Sequence, residues 1–136
     1  MRRPSVLPVL AGLGAGRVML GSLFLARPEA FARLLGVDSA TAGRLDWQGQ
    51  MIGAREIGLG VGLLASLRGN PRAWLLAGAL ADGVDAYAFT SGARAGKVRP
   101  GLGYGLSAVA AGAAAFGAVN SGRQPRRARA DTAPAS

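Results

Sequence analysis

The chain has 136 residues, half of them hydrophobic, with 16 lysines and arginines against 7 acidic residues and a net charge of +9. It contains no cysteine and no histidine, which excludes disulfides, thiolate nucleophiles, Cys/His metal sites, histidine-ligated haem and Ser-His-Asp catalysis. The length is one domain's worth, and its 22 glycines, each costing a helix in water about 1 kcal/mol relative to alanine, suit the close backbone contacts of a membrane bundle.

The first apolar stretch covers residues 5–26 and is broken only by Arg17. At the helical rise it spans roughly 33 Å, enough for a hydrocarbon core of about 30 Å. Arg2 and Arg3 in the short N-terminus, residues 1–4, would also suit a signal peptide. The apolar run is too long for one, and no small-x-small cleavage site follows cleanly, so a retained span is the better reading. Residues 27–46 form a polar connection that begins with a short helix from Pro28 to Gly36. Phe31, Leu34 and Leu35 share one face of it, which suits a helix lying in the membrane interface. An ordinary capped loop helix is the alternative.

Three more spans follow, over residues 47–67, 73–91 and 101–120, the second and third separated by the breaker Gly69-Asn70-Pro71. Trp47, Trp74 and Tyr104 stand at the starts of these spans, where amphipathic rings prefer the headgroup level. Residues 121–136 form a basic tail with Arg123, Arg126, Arg127 and Arg129. It lacks periodicity, so it is expected to be disordered and drawn to anionic lipid headgroups. Basic residues bracket the apolar stretches, which is the pattern of membrane topology and lipid contact. Nucleic-acid binding is a poor fit, because the tail has no interleaved aromatics. Four spans place both termini on one side, and the distribution of basic residues favours the cytoplasm.

Three of these spans carry ionisable residues near their middles: Arg17; Arg55 and Glu56; Asp82 and Asp85. Each would cost roughly 2.5–3.5 kcal/mol at the bilayer centre on insertion scales, so such residues face a bundle interior and pair or act. They lie at similar depth. Asp82 and Asp85 share one side of their helix, whereas Arg55 and Glu56 diverge by about 100 degrees. The expected arrangement has Arg17 and Arg55 each bridging one or two carboxylates. Two positive and three negative groups leave one carboxylate surplus, a candidate proton or cation site. The competing reading is that the cluster only fixes helix register; shorter, tilted helices would let an arginine snorkel.

Small residues recur at every fourth position. Ala54, Gly58, Gly62 and Ser66 in the second span, with Gly12 and Gly16 in the first, are expected to form packing faces. The similar row Gly103, Ser107, Ala111 and Ala115 is what an Ala- and Gly-rich segment produces by chance.

The run from Ala26 to Gly36, followed by Gly53-Ala54-Arg55-Glu56-Ile57-Gly58 and Ala81-Asp82-Gly83-Val84-Asp85, resembles small bacterial four-helix membrane proteins, broadly DoxX-like. The likeness covers most of residues 17–115. Relatives often carry a histidine near the fourth span; here Tyr104 is the nearest polar ring. The resemblance implies an all-α integral membrane four-helix bundle, with the short interfacial helix after the first span, in a bacterial inner membrane. It implies no reaction. Small multidrug exporters, with their essential acid in the first span, fit less well, because that span holds Arg17.

Three readings follow, none of which calls for a resident cofactor or metal. The first is a non-enzymatic module that associates with lipids, with itself or with a larger membrane complex. The second is a proton-linked small-solute transporter. The third, from analogy alone, is an accessory subunit of a membrane redox or quinone system. A soluble helical protein is the competitor at the level of fold.

Overall fold

The computed structural model describes residues 6–123. Within them the chain is all-helical, with no strand, and forms six helices. Four are long: α1 (Leu7–Ala26), α4 (Asp46–Ser66), α5 (Arg72–Arg94) and α6 (Pro100–Arg123). Two are short, α2 (Pro28–Leu34) and α3 (Ser39–Arg44). Of the long helices, α1 and α6 are long and apolar enough to cross a membrane. The other two are equally long but carry the charged pairs Arg55-Glu56 and Asp82/Asp85.

The long helices are arranged as two antiparallel pairs, α1 with α4 and α5 with α6. The first pair is set by glycines. The buried residues of α1 are Leu10, Gly14, Arg17, Gly21 and Phe24, and those of α4 include Gly49, Gly53, Glu56, Gly60 and Leu63. Steps of three and four alternate in both, which keeps a seam on one side of a helix with 3.6 residues per turn. A methyl built on Gly21 falls 2.5 Å from the Gly53 carbonyl oxygen, and one on Gly53 falls 2.7 Å from that of Gly21. Gly14 and Gly60 face each other in the same way, at 3.2 and 2.6 Å. Only hydrogen fits at these crossings.

This corrects the expected packing faces. Gly12, Gly16 and Gly58 have nothing within 4 Å of the position a Cβ would take, and Ala54 is exposed. A row at every fourth residue drifts around the helix, so only its far end, Gly62 and Ser66, turns inward. Gly62 lies under the Trp74 ring, and the Ser66 hydroxyl donates to the Leu63 carbonyl. In the second pair, Gly103 meets the Ala93 methyl and Gly117 approaches the Leu75 carbonyl. Ser107 bonds to Thr90 (2.7 Å) and donates to the Ala86 carbonyl (2.9 Å). The first half of the α6 row therefore faces α5, while Ala111 and Ala115 are exposed.

Leu10, Leu63 and Leu75 form an apolar core at one end, joined by Leu13, Leu67 and Phe116. At the other end the ring of Phe31 sits between Phe24 (4.9 Å between centroids) and Phe89 (6.2 Å). Helix α2 thus folds Phe31 and Leu35 inward and leaves Leu34 outside, so the three apolar residues expected to share one face are divided between interior and surface. Gly36 and Gly96 end α2 and α5 in left-handed conformations, φ 91° and 66°. In both, the next residue's N–H reaches back to the helix: Val37 to Ala32 and Lys97 to Gly92. The two loops meet where the Arg99 N–H donates to the Leu35 carbonyl at 2.8 Å.

Helix α3 was not expected. Asp38 caps it by accepting from the Thr41 N–H (3.0 Å). Helix α6 runs to Arg123, past the expected end at Asn120, and the Asn120 and Ser121 side chains turn back and donate to the Phe116 and Ala118 carbonyls. The rest of the predicted basic tail and the N-terminal residues 1–4 lie outside the described residues.

Glycine at the α1/α4 crossing predicts an asymmetric substitution series. Gly21→Ala and Gly53→Ala should each lose about 1–3 kcal/mol through overpacking against backbone, whereas Gly12→Ala and Gly16→Ala should be neutral or gain up to about 1 kcal/mol. Denaturant unfolding of the purified protein, followed by helical circular dichroism, checks both halves.

Candidate functional site

The glycine crossing determines where Arg17 goes. It lies between Gly14 and Gly21 on the α1 seam, opposite the stretch of α4 between Gly53 and Gly60 that presents Glu56. Arg17 Nη1 donates to Glu56 Oε2 at 2.6 Å, and Arg17 Nη2 donates to Asp82 Oδ2. Gly78, one turn before Asp82 on α5, leaves room for this guanidinium: a methyl there would lie 3.3 Å from Nη2. Arg17, Glu56 and Asp82 are only 8%, 4% and 8% exposed, so their pairing decides whether the interior tolerates them at all.

Arg55 extends the network. Its long side chain reaches its own neighbour Glu56 (Nη2 to Oε1, 3.1 Å) and grips Asp85 with two hydrogen bonds, 3.1 and 2.6 Å. The 100-degree divergence of Arg55 and Glu56 is absorbed by this bend, so both join one cluster. The result is a chain of alternating charge, Asp82–Arg17–Glu56–Arg55–Asp85. Glu56 gives one oxygen to each arginine, and the two ends of the chain return to α5 one turn apart. Three helices are tied together. The Arg17 arm is buried, whereas the Arg55–Asp85 arm is half-exposed.

All five charged residues line one cleft of about 430 Å³. Among the described residues no three carboxylates converge as metal ligands; each acid is turned to an arginine. Of the aromatic positions, Trp47 and Tyr104 are exposed near the starts of α4 and α6, and Trp74 is exposed on one edge while its ring covers Gly62.

Several positioning residues were missed by reading apolar residues alone: Gly14, Gly21, Gly53 and Gly60 at the crossing, Gly78 beneath Arg17, and the Phe24/Phe31/Phe89 trio. The signal that finds the first four is the alternating three-four spacing, provided that Arg17 and Glu56 are counted as seam positions. Comparison with known protein families, curated proteins and solved structures finds no match, so the functional reading rests on this geometry.

The two arms of the network should respond differently. Arg17→Met strands Asp82 without a cation and leaves Glu56 held only by the half-exposed Arg55, and it should cost about 3–5 kcal/mol. Arg55→Met removes a half-exposed partner and should cost less, about 1 kcal/mol. Adding Glu56→Gln and Asp82→Asn to Arg17→Met should recover most of the loss, since no buried charge then remains in that arm. Unfolding free energies of the four proteins decide this; equal losses from the two arginine variants would contradict the assignment of an inner and an outer arm.

Proposed function

We propose that the chain is a four-span, non-catalytic membrane module, with α1, α4, α5 and α6 as its spans and the ion network holding them in register. The observation that carries this reading is an inverted distribution of polarity. Leu80, Val109 and Met19 are 72%, 71% and 66% exposed, while Arg17, Glu56 and Asp82 are almost completely covered. In water such a chain would bury its most expensive groups and leave its best core residues outside. In lipid the same arrangement is favourable, because acyl chains solvate the exterior and charge must be hidden.

The same logic accounts for α4 and α5. Their charged residues are internally paired, and the faces they turn outward carry Met51, Val61 and Leu64 on one and Leu76, Leu80 and Val84 on the other. Trp47, Trp74 and Tyr104 fit the headgroup level near three helix starts. Helix α2 would then sit at the membrane interface beneath the Phe31 cluster, and basic segments at both ends would meet anionic headgroups. This architecture suits the inner-membrane, DoxX-like resemblance carried by the sequence, with both termini on the cytoplasmic side. Ion pairs between helices supply the specificity that apolar contact cannot supply in lipid.

Cell fractionation tests the reading. The full chain should remain with membranes through high salt and alkaline carbonate and be released only by detergent. Recovery as a monodisperse protein in detergent-free buffer would sink it.

A further inference from the structure

The cleft beside the network lies between α1 and α6, no Cα of which approaches the other within 8 Å. Its volume falls within the range of small-molecule sites, about 300–1,000 Å³. Apart from the charged residues its walls are apolar, with Leu20, Phe24, Ile52, Phe89 and Leu106 among them. Val109, also on its lining, is 71% exposed, which marks the lateral opening.

The charges around this space do not balance. Arg17 and Arg55 serve Glu56, Asp82 and Asp85, leaving one negative charge over. Asp82 has the unused capacity: it is 92% covered, yet Oδ1 accepts no hydrogen bond from any described residue. No fully occluded side-chain oxygen among the described residues lacks a partner, so this one retains open surface. Every other carboxylate oxygen in the network is engaged by an arginine.

We propose that the cleft binds a hydrophobic monocation, its charged centre against the free oxygen of Asp82 and its organic body between α1 and α6. Apolar walls take up the body, and a single surplus carboxylate in a low-dielectric setting is complementary to a single positive charge. An anion of equal size meets net repulsion. The two arginines already in place disfavour a second cation. The inference goes beyond the structural role of the network and rests on the membrane reading only for the route of entry, sideways from the acyl region.

The test uses the full chain, purified in mild detergent, with tetraphenylphosphonium and the like-shaped anion tetraphenylborate as probes in equilibrium dialysis. The cation should bind saturably, one per chain, at least about tenfold more tightly than the anion. Gly16→Phe fills the cleft from a position with no atom within 4 Å of its Cβ; it should abolish cation binding without lowering the unfolding midpoint. Gly12→Phe, equally unobstructed, serves if that variant loses yield. Asp82→Asn should weaken binding about tenfold. Equal binding of the two ions, no binding of either, cation binding unchanged by the phenylalanine variants, or a co-purifying lipid that the cation does not displace would each overturn the proposal. None of those outcomes bears on whether the chain partitions with membranes, so the module reading stands or falls separately.

Discussion

A guanidinium at the centre of a packed helix seam has no water to turn to, so Arg17 obliges the fold to bring it carboxylates from two other helices. Much of the architecture follows from that obligation. Glu56 must lie opposite Arg17, which fixes the register of α1 against α4. Asp82 must reach the same point from α5, which fixes the approach of the second helix pair. A shift of either helix by one residue would turn its carboxylate about 100 degrees away and leave a buried charge without its partner. The register is therefore held by electrostatics as well as by shape.

The glycines make the charge placement possible. Gly14 against Gly60 and Gly21 against Gly53 bring two backbones together above and below Arg17, with partner carbonyl oxygens where side chains would otherwise be. The crossing is short-range on both sides of the ion pair, so water has little access to it. Gly78 helps on α5, where a methyl would press on the guanidinium at 3.3 Å from Nη2. Glycine's weak helix propensity is offset here by contacts that no other residue permits.

The charged residues were the legible part of this site, because each interrupts an apolar run and stands out by hydropathy alone. The helix boundaries were nearly as legible, from Pro28, Gly36 and the Gly-Asn-Pro break. The seam was not. With so many glycines and alanines, rows at every fourth residue arise everywhere, and the row through Ala54 and Gly58 competes with the true one through Gly53 and Gly60. Separating them required accepting Glu56 as a packing residue, which runs against the habit of reading seams from apolar positions. Helix α3 had no apolar periodicity to betray it, only the cap at Asp38. The inward turn of Phe31 depends on Phe24, across the α1–α2 corner, and on Phe89, distant in sequence, and no local pattern specifies the second meeting.

The distribution of charge between the two helix pairs explains why the network sits where it does. Within each pair, glycines and small residues let backbones touch, and in the first pair Arg17–Glu56 adds register to that contact. Between the pairs the contacts are made by side chains: Trp74 on Gly62, the leucine core, the phenylalanine trio and the ions. Here α1 and α4 contribute Arg17, Arg55 and Glu56, a net positive set, and α5 contributes only Asp82 and Asp85. Apolar surfaces alone would dock in many orientations with similar energy. Opposite charge on the two pairs selects one of them, and because the selection is made by side chains rather than by backbone contact, it leaves an open cleft beside the network.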